Sequence, residues 1–279
     1  STIPKRLARY GQVSGAAVKL ATRLAGQKFF GIDIDREAHA AELLAALGNL
    51  KGPLMKIGQI LATIPEALPP EYATAFQQLQ SNAPPMGASF VKRRMGTELG
   101  PAWPAKFKSF DMTPSAAASL GQVHRATLPD GRDVACKIQY PDMMSAVDAD
   151  LRQLSFIFAL YQKYDTAIQT DLIHDELADR LYEELDYERE ARALRLYALM
   201  LSGVAGVHVP DLIPDLSTKR LLTATWMAGR KILDFKTAPA TDRSKIAMNL
   251  FRAWYVPFYH YGVIHGDPHL GNYSVRDDL

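Results

Sequence analysis

The stretch of sequence that decides the fold runs from residue 265 to residue 272 and reads His265-Gly266-Asp267-Pro268-His269-Leu270-Gly271-Asn272. It places a histidine two residues before an aspartate, and an asparagine five residues after that aspartate. Two histidines and an aspartate could also bind a metal, but one short cluster does not supply a complete ligand set. A polar turn between a helix and a strand would have the same composition. Motifs earlier in the chain decide between these interpretations.

A strand lysine is the second motif. The strand predicted over residues 132–139 contains Val134-Ala135-Cys136-Lys137, and the turn signal Pro129-Asp130-Gly131 stands directly before it. A lysine in a strand is usually a solvated edge residue. Here the preceding strand follows a loop of small residues, Ala116 to Gln122, which would let backbone N–H groups approach phosphate oxygens. That position favours a phosphate-binding role for Lys137.

A charged helix supplies the third motif, Glu183-Glu184-Leu185-Asp186-Tyr187-Glu188-Arg189-Glu190-Ala191. Most acidic residues on such a helix form solvated pairs with basic residues four positions away. A phosphate-binding lysine, however, needs a helix carboxylate that holds it in place. Glu184 is our choice for this role, and Asp186 and Glu190 are second candidates.

Together, the three motifs have the spacing of the phosphoryl-transfer site in kinase-fold enzymes. In that site Asp267 would lie beside the attacking hydroxyl, and the side-chain oxygen of Asn272 would help to hold Mg²⁺ on the phosphates. Lys137 would pair with the α- and β-phosphates of ATP. These motifs therefore predict a nucleotide-binding site.

Composition excludes several classes of protein. With 48% hydrophobic and 22% charged residues among 279, the chain has the composition of a globular protein rather than a disordered one. Its 32 basic and 30 acidic residues leave a net charge of +2, and so small an excess of positive charge does not indicate a nucleic-acid-binding protein. The single cysteine, Cys136, excludes an internal disulfide and fits a reducing compartment. The longest apolar run, Leu154 to Tyr161, is too short to span a bilayer, and no signal peptide is recognised. Neither a secreted nor a membrane-spanning protein is expected.

The remaining patterns predict an α+β protein with a cleft between two lobes. Helices are predicted over residues 37–47, 54–64, 71–80, 151–164, 172–200 and 242–261. Strands are predicted over residues 107–112, 120–128, 132–139, 207–210 and 221–226. We divide the chain into an all-helical extension (1–83), a kinase-like N-terminal lobe with inserted helices (84–226) and a partial C-terminal lobe that carries the catalytic loop (227–279).

The beginning of the chain is basic and has no acidic residue before Asp33. Its cations are Lys5, Arg6, Arg9, Lys19, Arg23 and Lys28. Apolar residues from Ile3 to Leu24 recur at spacings of three and four, which gives one helical face. Such a helix can lie on an anionic membrane surface. The alternative, which we weigh slightly higher, is that this face packs on the protein.

These blocks resemble, in their order along the chain, the UbiB/AarF (ADCK-type) group of atypical protein-kinase-like proteins. The blocks that carry the resemblance are Lys56 to Gln59 (Lys-Ile-Gly-Gln), Ala116 to His124, Val134 to Lys137, Glu184 to Ala191 and His265 to Asn272. The Lys-x-Gly-Gln and alanine-rich blocks are hallmarks that ordinary kinases lack. The resemblance implies a bilobal protein-kinase-like fold whose N-terminal helical extension folds over the active-site cleft.

The resemblance also implies a role for each matching residue. The nucleotide phosphates would be covered by Ala116, Ala117, Ala118, Ser119 and Gln122 and contacted by Lys137. Glu184 and Asp186 would form the family's Glu-x-Asp motif, with Asp186 in a regulatory role.

Asp267 would take the catalytic or metal-organising position, and Asn272 would be a metal ligand. Lys56 and Gln59 would reach into the cleft, where a protein kinase admits its peptide, and regulate access. Thr225 stands where relatives often carry Glu, so adenine contacts at Thr225 and Met227 must rest on backbone groups.

The implied function is that of an atypical kinase or ATPase that binds ATP or ADP with Mg²⁺ and supports isoprenoid-quinone (ubiquinone) biosynthesis or lipid homeostasis. Its partners would be adenine nucleotide, anionic membrane lipids and quinone-biosynthesis proteins, with no nucleic acid. It would be cytoplasmic, either free or peripheral on the inner face of a membrane.

Two alternatives stay open, a catalytically silent nucleotide- or lipid-binding pseudokinase scaffold and a helical membrane-surface adaptor. The family's second Mg²⁺-binding segment follows the catalytic asparagine, and the printed sequence ends at Leu279 without one. The C-terminal lobe is therefore expected to be incomplete and the chain by itself to show little turnover.

Overall fold

A computed structural model describes residues 86–118, 120–162, 170–266 and 270–277. The predicted helical extension, with Lys56 and Gln59, lies outside the described residues. So do Ser119, Asp267 and His269. The roles predicted for these residues therefore stay predictions.

Within the described ranges, a five-stranded sheet follows the first helix, α1 (Ala88–Leu99). Its strands are β1 (Ser109–Phe110), β2 (Ala116–Ala118), β3 (Gly121–Thr127), β4 (Asp133–Gln139) and β5 (Leu221–Thr225). The strand order is β1-β3-β4-β5, and β2 also pairs with β3. Both β1 and β2 run antiparallel to β3, with Phe110 opposite Ala126 and Ala117 opposite Gln122. As predicted, a turn joins β3 to β4, and it is closed by the bond from the Gly131 N–H to the Leu128 carbonyl (3.0 Å).

Long helices follow β4. They are α2 (Met143–Gln162), α3 (Thr170–Leu185) and α4 (Tyr187–Leu201), and α5 (Ala240–Tyr261) follows β5. Helix α5 ends at Gly262, whose φ of 67° lies in the left-handed region that glycine adopts without strain. Two short strands, β6 (Arg230–Lys231) and β7 (Ser274–Val275), pair antiparallel. No helix of the described residues is both long and apolar enough to cross a membrane.

Three predicted elements differ in kind from the observed ones, and α2 begins at Met143 rather than at residue 151. The helix predicted over 172–200 is two helices, α3 and α4, which are separated at Asp186. The Asp186 N–H bonds the Glu183 carbonyl three residues back, and aspartate favours the residue before a new helix. The strand predicted over 207–210 is irregular chain, since Val207 donates to Val204 in a turn. The alanine-rich segment, expected to be a loop, begins with strand β2.

The chain divides into two compact units, and the division passes through β3 after His124 and through β4 after Lys137. In the first unit (described parts of 1–92, 112–124 and 138–186), β2 pairs with the start of β3. Its core includes the fully buried Tyr140, Val147, Leu177 and Leu181. The phenol of Tyr182 on α3 donates to Asp148 on α2 (2.7 Å), and so links these two helices.

The second unit comprises residues 93–111, 125–137 and 187–279, of which the structure describes all but 267–269 and 278–279. An edge-to-face cluster of Trp103, Phe107 and Phe110 has ring centroids 5.2–6.2 Å apart. Helix α4 packs against both β5 and α5. This unit carries the strand lysine, the linker after β5 and the described ends of the 265–272 stretch. The predicted three-segment domain boundaries stay a prediction.

Candidate nucleotide-binding site

The strand lysine is positioned by the alternation of β4. Val134, Cys136 and Ile138 are fully buried, whereas Lys137 points to the other face, because successive strand residues face opposite sides. Its Nζ lies 2.8 Å from Oε1 and 2.9 Å from Oε2 of Glu190 on α4. The two side chains keep 25% and 37% of their surface exposed, so the pair is reachable from solvent. An ammonium held in this way can still turn towards an incoming anion.

An aromatic ring completes the surroundings of this ammonium. The Nζ of Lys137 lies 5.0 Å from the ring centroid of Tyr187, the first residue of α4. Tyr187 and Glu190 are three residues apart, so the helix presents both on one face. Sequence reasoning assigned no role to Tyr187. The signal that could have found it is its spacing from Glu190.

The partner of the lysine differs from our choice. We had chosen Glu184 as the carboxylate that holds Lys137, and the structure gives this contact to Glu190, a second candidate. The reason is the break at Asp186, which places Glu184 on α3 and Glu190 on the new helix α4. The two glutamates therefore do not share a helix face. The predicted Glu-x-Asp roles of Glu184 and Asp186 stay predictions.

The alanine-rich segment forms a hairpin. Ala116, Ala117 and Ala118 pair with the start of β3, and Ala118 lies opposite Gly121. The buried Leu120, directly before β3, anchors the hairpin through its carbonyl, which accepts from the Tyr140 N–H (3.0 Å). The alanines present only methyl groups, and close approach of an anion to the backbone remains sterically open. The predicted role in covering phosphates stays a prediction.

The side chain of Gln122 bonds other parts of the protein. Its side chain is completely buried, its Oε1 accepts from the Met86 N–H (2.8 Å) and its Nε2 donates to the Met86 carbonyl (3.1 Å). The same Nε2 lies 2.9 Å from Nε2 of His124, which is also fully buried. The side chain thus ties the chain before α1 to β3. The side chain is therefore not available for a ligand, and the predicted role of this segment in covering phosphates through its backbone stays a prediction.

The linker after β5 was predicted to contact adenine through backbone groups, and this stays a prediction. The Thr225 N–H donates to the Asp211 carbonyl and its Oγ1 accepts from the Asp211 N–H, both at 2.9 Å. The Trp226 N–H donates to the Asp133 carbonyl (2.9 Å). Among the described residues no acceptor bonds the Met227 N–H. Thr225 is committed to holding the linker, and Met227 is the better candidate for an adenine contact.

Three aromatic rings surround His265, the start of the 265–272 stretch. Trp254 of α5 stacks on its ring (centroids 5.9 Å, planes 9° apart) and Tyr197 of α4 meets it edge-on at 5.7 Å. Tyr273 lies 6.0 Å away, and its hydroxyl accepts from Nε1 of Trp254 (2.8 Å). This aromatic cage holds the imidazole of His265. Sequence analysis did not anticipate it, because its members lie far apart along the chain.

Metal binding and thiol reactivity can be judged for the described residues alone. Among the described residues no group of three or more His, Cys, Asp or Glu could hold a metal ion. The exposed Asn272 ends a single 3₁₀ turn, Leu270–Asn272, and is available to solvent. Beside Lys137, burial raises the pKa of the Cys136 thiol to about 12, which makes Cys136 a packing residue and not a nucleophile.

Comparisons with known proteins show the family of the chain. The family described as ABC1 atypical kinase-like domain matches residues 78–279. The mitochondrial atypical kinase coq-8 of Caenorhabditis elegans is 30% identical over 97% of this chain and 38% of its own length. The mitochondrial atypical kinase COQ8 of Saccharomyces cerevisiae is 32% identical over 81% of this chain and 45% of its own length. The chain thus spans about two fifths of the length of these curated relatives.

A solved structure is also similar. It is a Mycobacterium tuberculosis protein in complex with erythromycin, with a TM-score of 0.63 and 34% identity, covering 87% of this chain and 62% of the other. The family match over most of the chain and these relatives show that the protein has a kinase-like α+β fold and belongs to the ABC1 family of atypical kinase-like proteins, the UbiB/AarF group.

Proposed function

We propose that the protein binds ATP or ADP with Mg²⁺ and acts as an atypical kinase or ATPase. The observation that carries this proposal is the ion pair of Lys137 with both carboxylate oxygens of Glu190. In kinase-fold enzymes a lysine on a strand contacts the phosphates, and a helix glutamate must hold it for transfer to occur. The family membership supports the same assignment.

The described residues suggest how a nucleotide would be held. The ammonium of Lys137 would form charge-assisted hydrogen bonds with phosphate oxygens. The Met227 N–H would donate to the adenine ring, and the alanine hairpin would cover the phosphates with its backbone. Asn272 and Asp267 offer the oxygen ligands that Mg²⁺ prefers, and the bound ion would neutralise charge on the phosphates.

The cellular role belongs to the whole protein. We infer that it supports isoprenoid-quinone biosynthesis or lipid homeostasis at a membrane surface, together with anionic lipids and quinone-biosynthesis proteins. The family resemblance and the six cations before Asp33 support this inference. Lys56 and Gln59 would then regulate access to the cleft.

The test is calorimetric titration of the protein with MgADP. Because a hydrogen bond to a charged group is worth about 1.5–3 kcal/mol, and Lys137 is partly exposed, Lys137→Ala should weaken binding by about tenfold. Lys231→Ala is the matched control, since this exposed lysine also lies on a strand. Equal affinity of wild type and Lys137→Ala would contradict the proposal.

The silent-scaffold alternative has one observation in its favour, because alanines stand where kinases normally place glycines in the phosphate-covering segment. ATP hydrolysis by the full-length protein, with and without anionic vesicles, separates the alternatives. Mg²⁺-dependent hydrolysis supports an enzyme. Nucleotide binding without hydrolysis supports the scaffold, and vesicle binding without nucleotide binding supports a membrane-surface adaptor.

A further inference from the structure

The ammonium of Lys137 has two different neighbours on α4, the carboxylate of Glu190 and the ring of Tyr187. We propose that Tyr187 is a positioning residue for Lys137. Its ring makes a cation–π contact that limits where the ammonium can lie, and so keeps the ammonium between Glu190 and the phosphates. This inference rests on the proposed nucleotide-binding function. It assigns to Tyr187 a role in ligand binding that goes beyond packing.

The geometry fits a cation over an aromatic face. The distance of 5.0 Å from Nζ to the ring centroid is within the range of about 6 Å over which such contacts are attractive. Tyr187 is only 1% exposed, so its ring is fixed by packing and cannot follow the lysine. A fixed ring can therefore hold a mobile ammonium in place.

The chemistry of the neighbour matters as well. A second carboxylate at this position would hold the lysine but would also repel the anionic phosphates. The face of an aromatic ring attracts the ammonium without adding a formal negative charge. Tyr187 thus restricts Lys137 while the site stays favourable for an anion.

The start of α4 sets this arrangement. Because Asp186 separates α3 from α4, Tyr187 occupies the first helical position and Glu190 follows one turn later on the same face. The first turn of α4 therefore supplies both the aromatic ring and the carboxylate that contact Lys137. A shift of one residue in the break would remove one of the two from the lysine.

The experiment combines NMR with binding. Reductive methylation with ¹³C-formaldehyde labels the lysines, and the resonance missing in Lys137→Met identifies residue 137. In the wild type the ring current of Tyr187 should shift this resonance upfield. Tyr187→Phe should preserve the shift, and Tyr187→Leu should abolish it.

Binding of MgADP gives the second readout. Tyr187→Leu should weaken affinity by about twofold to thirtyfold, the range expected for a cation–π contact between exposed and desolvated limits. Tyr187→Phe should bind as the wild type does. In the Lys137→Met background, Tyr187→Leu should have no further effect.

Three results would overturn the proposal: an unshifted Lys137 resonance in the wild type, equal weakening by the leucine change with and without Lys137, or failure of Tyr187→Phe to preserve binding. If Tyr187→Leu does not fold, as judged by circular dichroism, Tyr187→Met replaces it in the same comparisons. Unchanged MgADP affinity in Lys137→Met would instead contradict the proposed function, and the NMR result would still decide whether the ring positions the lysine.

Discussion

Gln122 offers a sharp test of how the hairpin is held. Its amide bonds both the N–H and the carbonyl of Met86, and its Nε2 donates to Nε2 of His124, because an amide nitrogen can only donate. Replacing Gln122 with Met keeps an unbranched side chain and removes all three bonds. Gln139→Met is the matched control, since the buried Gln139 makes a single bond, from Nε2 to the Leu185 carbonyl (2.9 Å).

The magnitude follows from these bonds. A hydrogen bond contributes about 0.5–1.5 kcal/mol net, and a buried group left without a partner costs about 1–3 kcal/mol. Met86 is half-buried, so water can replace part of the hydrogen bonding that its backbone loses. His124 is fully buried, so water cannot replace the bond that its ring loses. We expect Gln122→Met to lower the free energy of unfolding by about 3 kcal/mol and Gln139→Met by about 1 kcal/mol.

Urea-induced unfolding of the two variants and the wild type, followed by circular dichroism, measures the difference. A second readout is the rate of limited proteolysis in the segment that precedes α1, which should be higher in Gln122→Met than in Gln139→Met. Equal destabilisation by the two changes, or a smaller loss for Gln122→Met, would refute the argument that its three bonds anchor the hairpin.

Three further predictions follow from the second unit. Burial raises the pKa of the Cys136 thiol to about 12, so iodoacetamide at pH 8 should label Cys136 only in urea, and rapid labelling of the native protein would contradict this. The free energy of unfolding should also fall as the pH rises above about 9, because the thiol then ionises in the unfolded protein but not in the native one. Tyr273→Phe removes the acceptor of the Trp254 indole and should lower the free energy of unfolding by about 1 kcal/mol in urea titrations, whereas an unchanged midpoint would show that the bond contributes nothing. Glu190→Gln should reduce ATP hydrolysis by the full-length protein far more than it changes MgADP affinity, because the carboxylate positions the strand lysine and does not touch the phosphates. Glu184→Gln is its control, and a larger effect on hydrolysis there would reassign the partner.

The sequence alone determined the parts of the fold that depend on neighbouring residues. The alternation from Val134 to Gln139 predicted strand β4, and Pro129-Asp130-Gly131 predicted its turn, because both patterns express local backbone preferences. The spacing of the motifs indicated the family, which the match over residues 78–279 confirmed. Lys137 could be chosen because its motif is contiguous.

Only the tertiary structure decided which groups meet. Glu190 is 53 residues from Lys137. The sequence predicted one continuous helix with three acidic candidates, and only the break at Asp186 brings Glu190 to the lysine. Gln122 turns inward because Met86, 36 residues earlier, supplies both of its partners. The aromatic cage of His265 likewise joins three separate elements. Such contacts are set by packing between distant segments, which periodicity and local propensity do not encode.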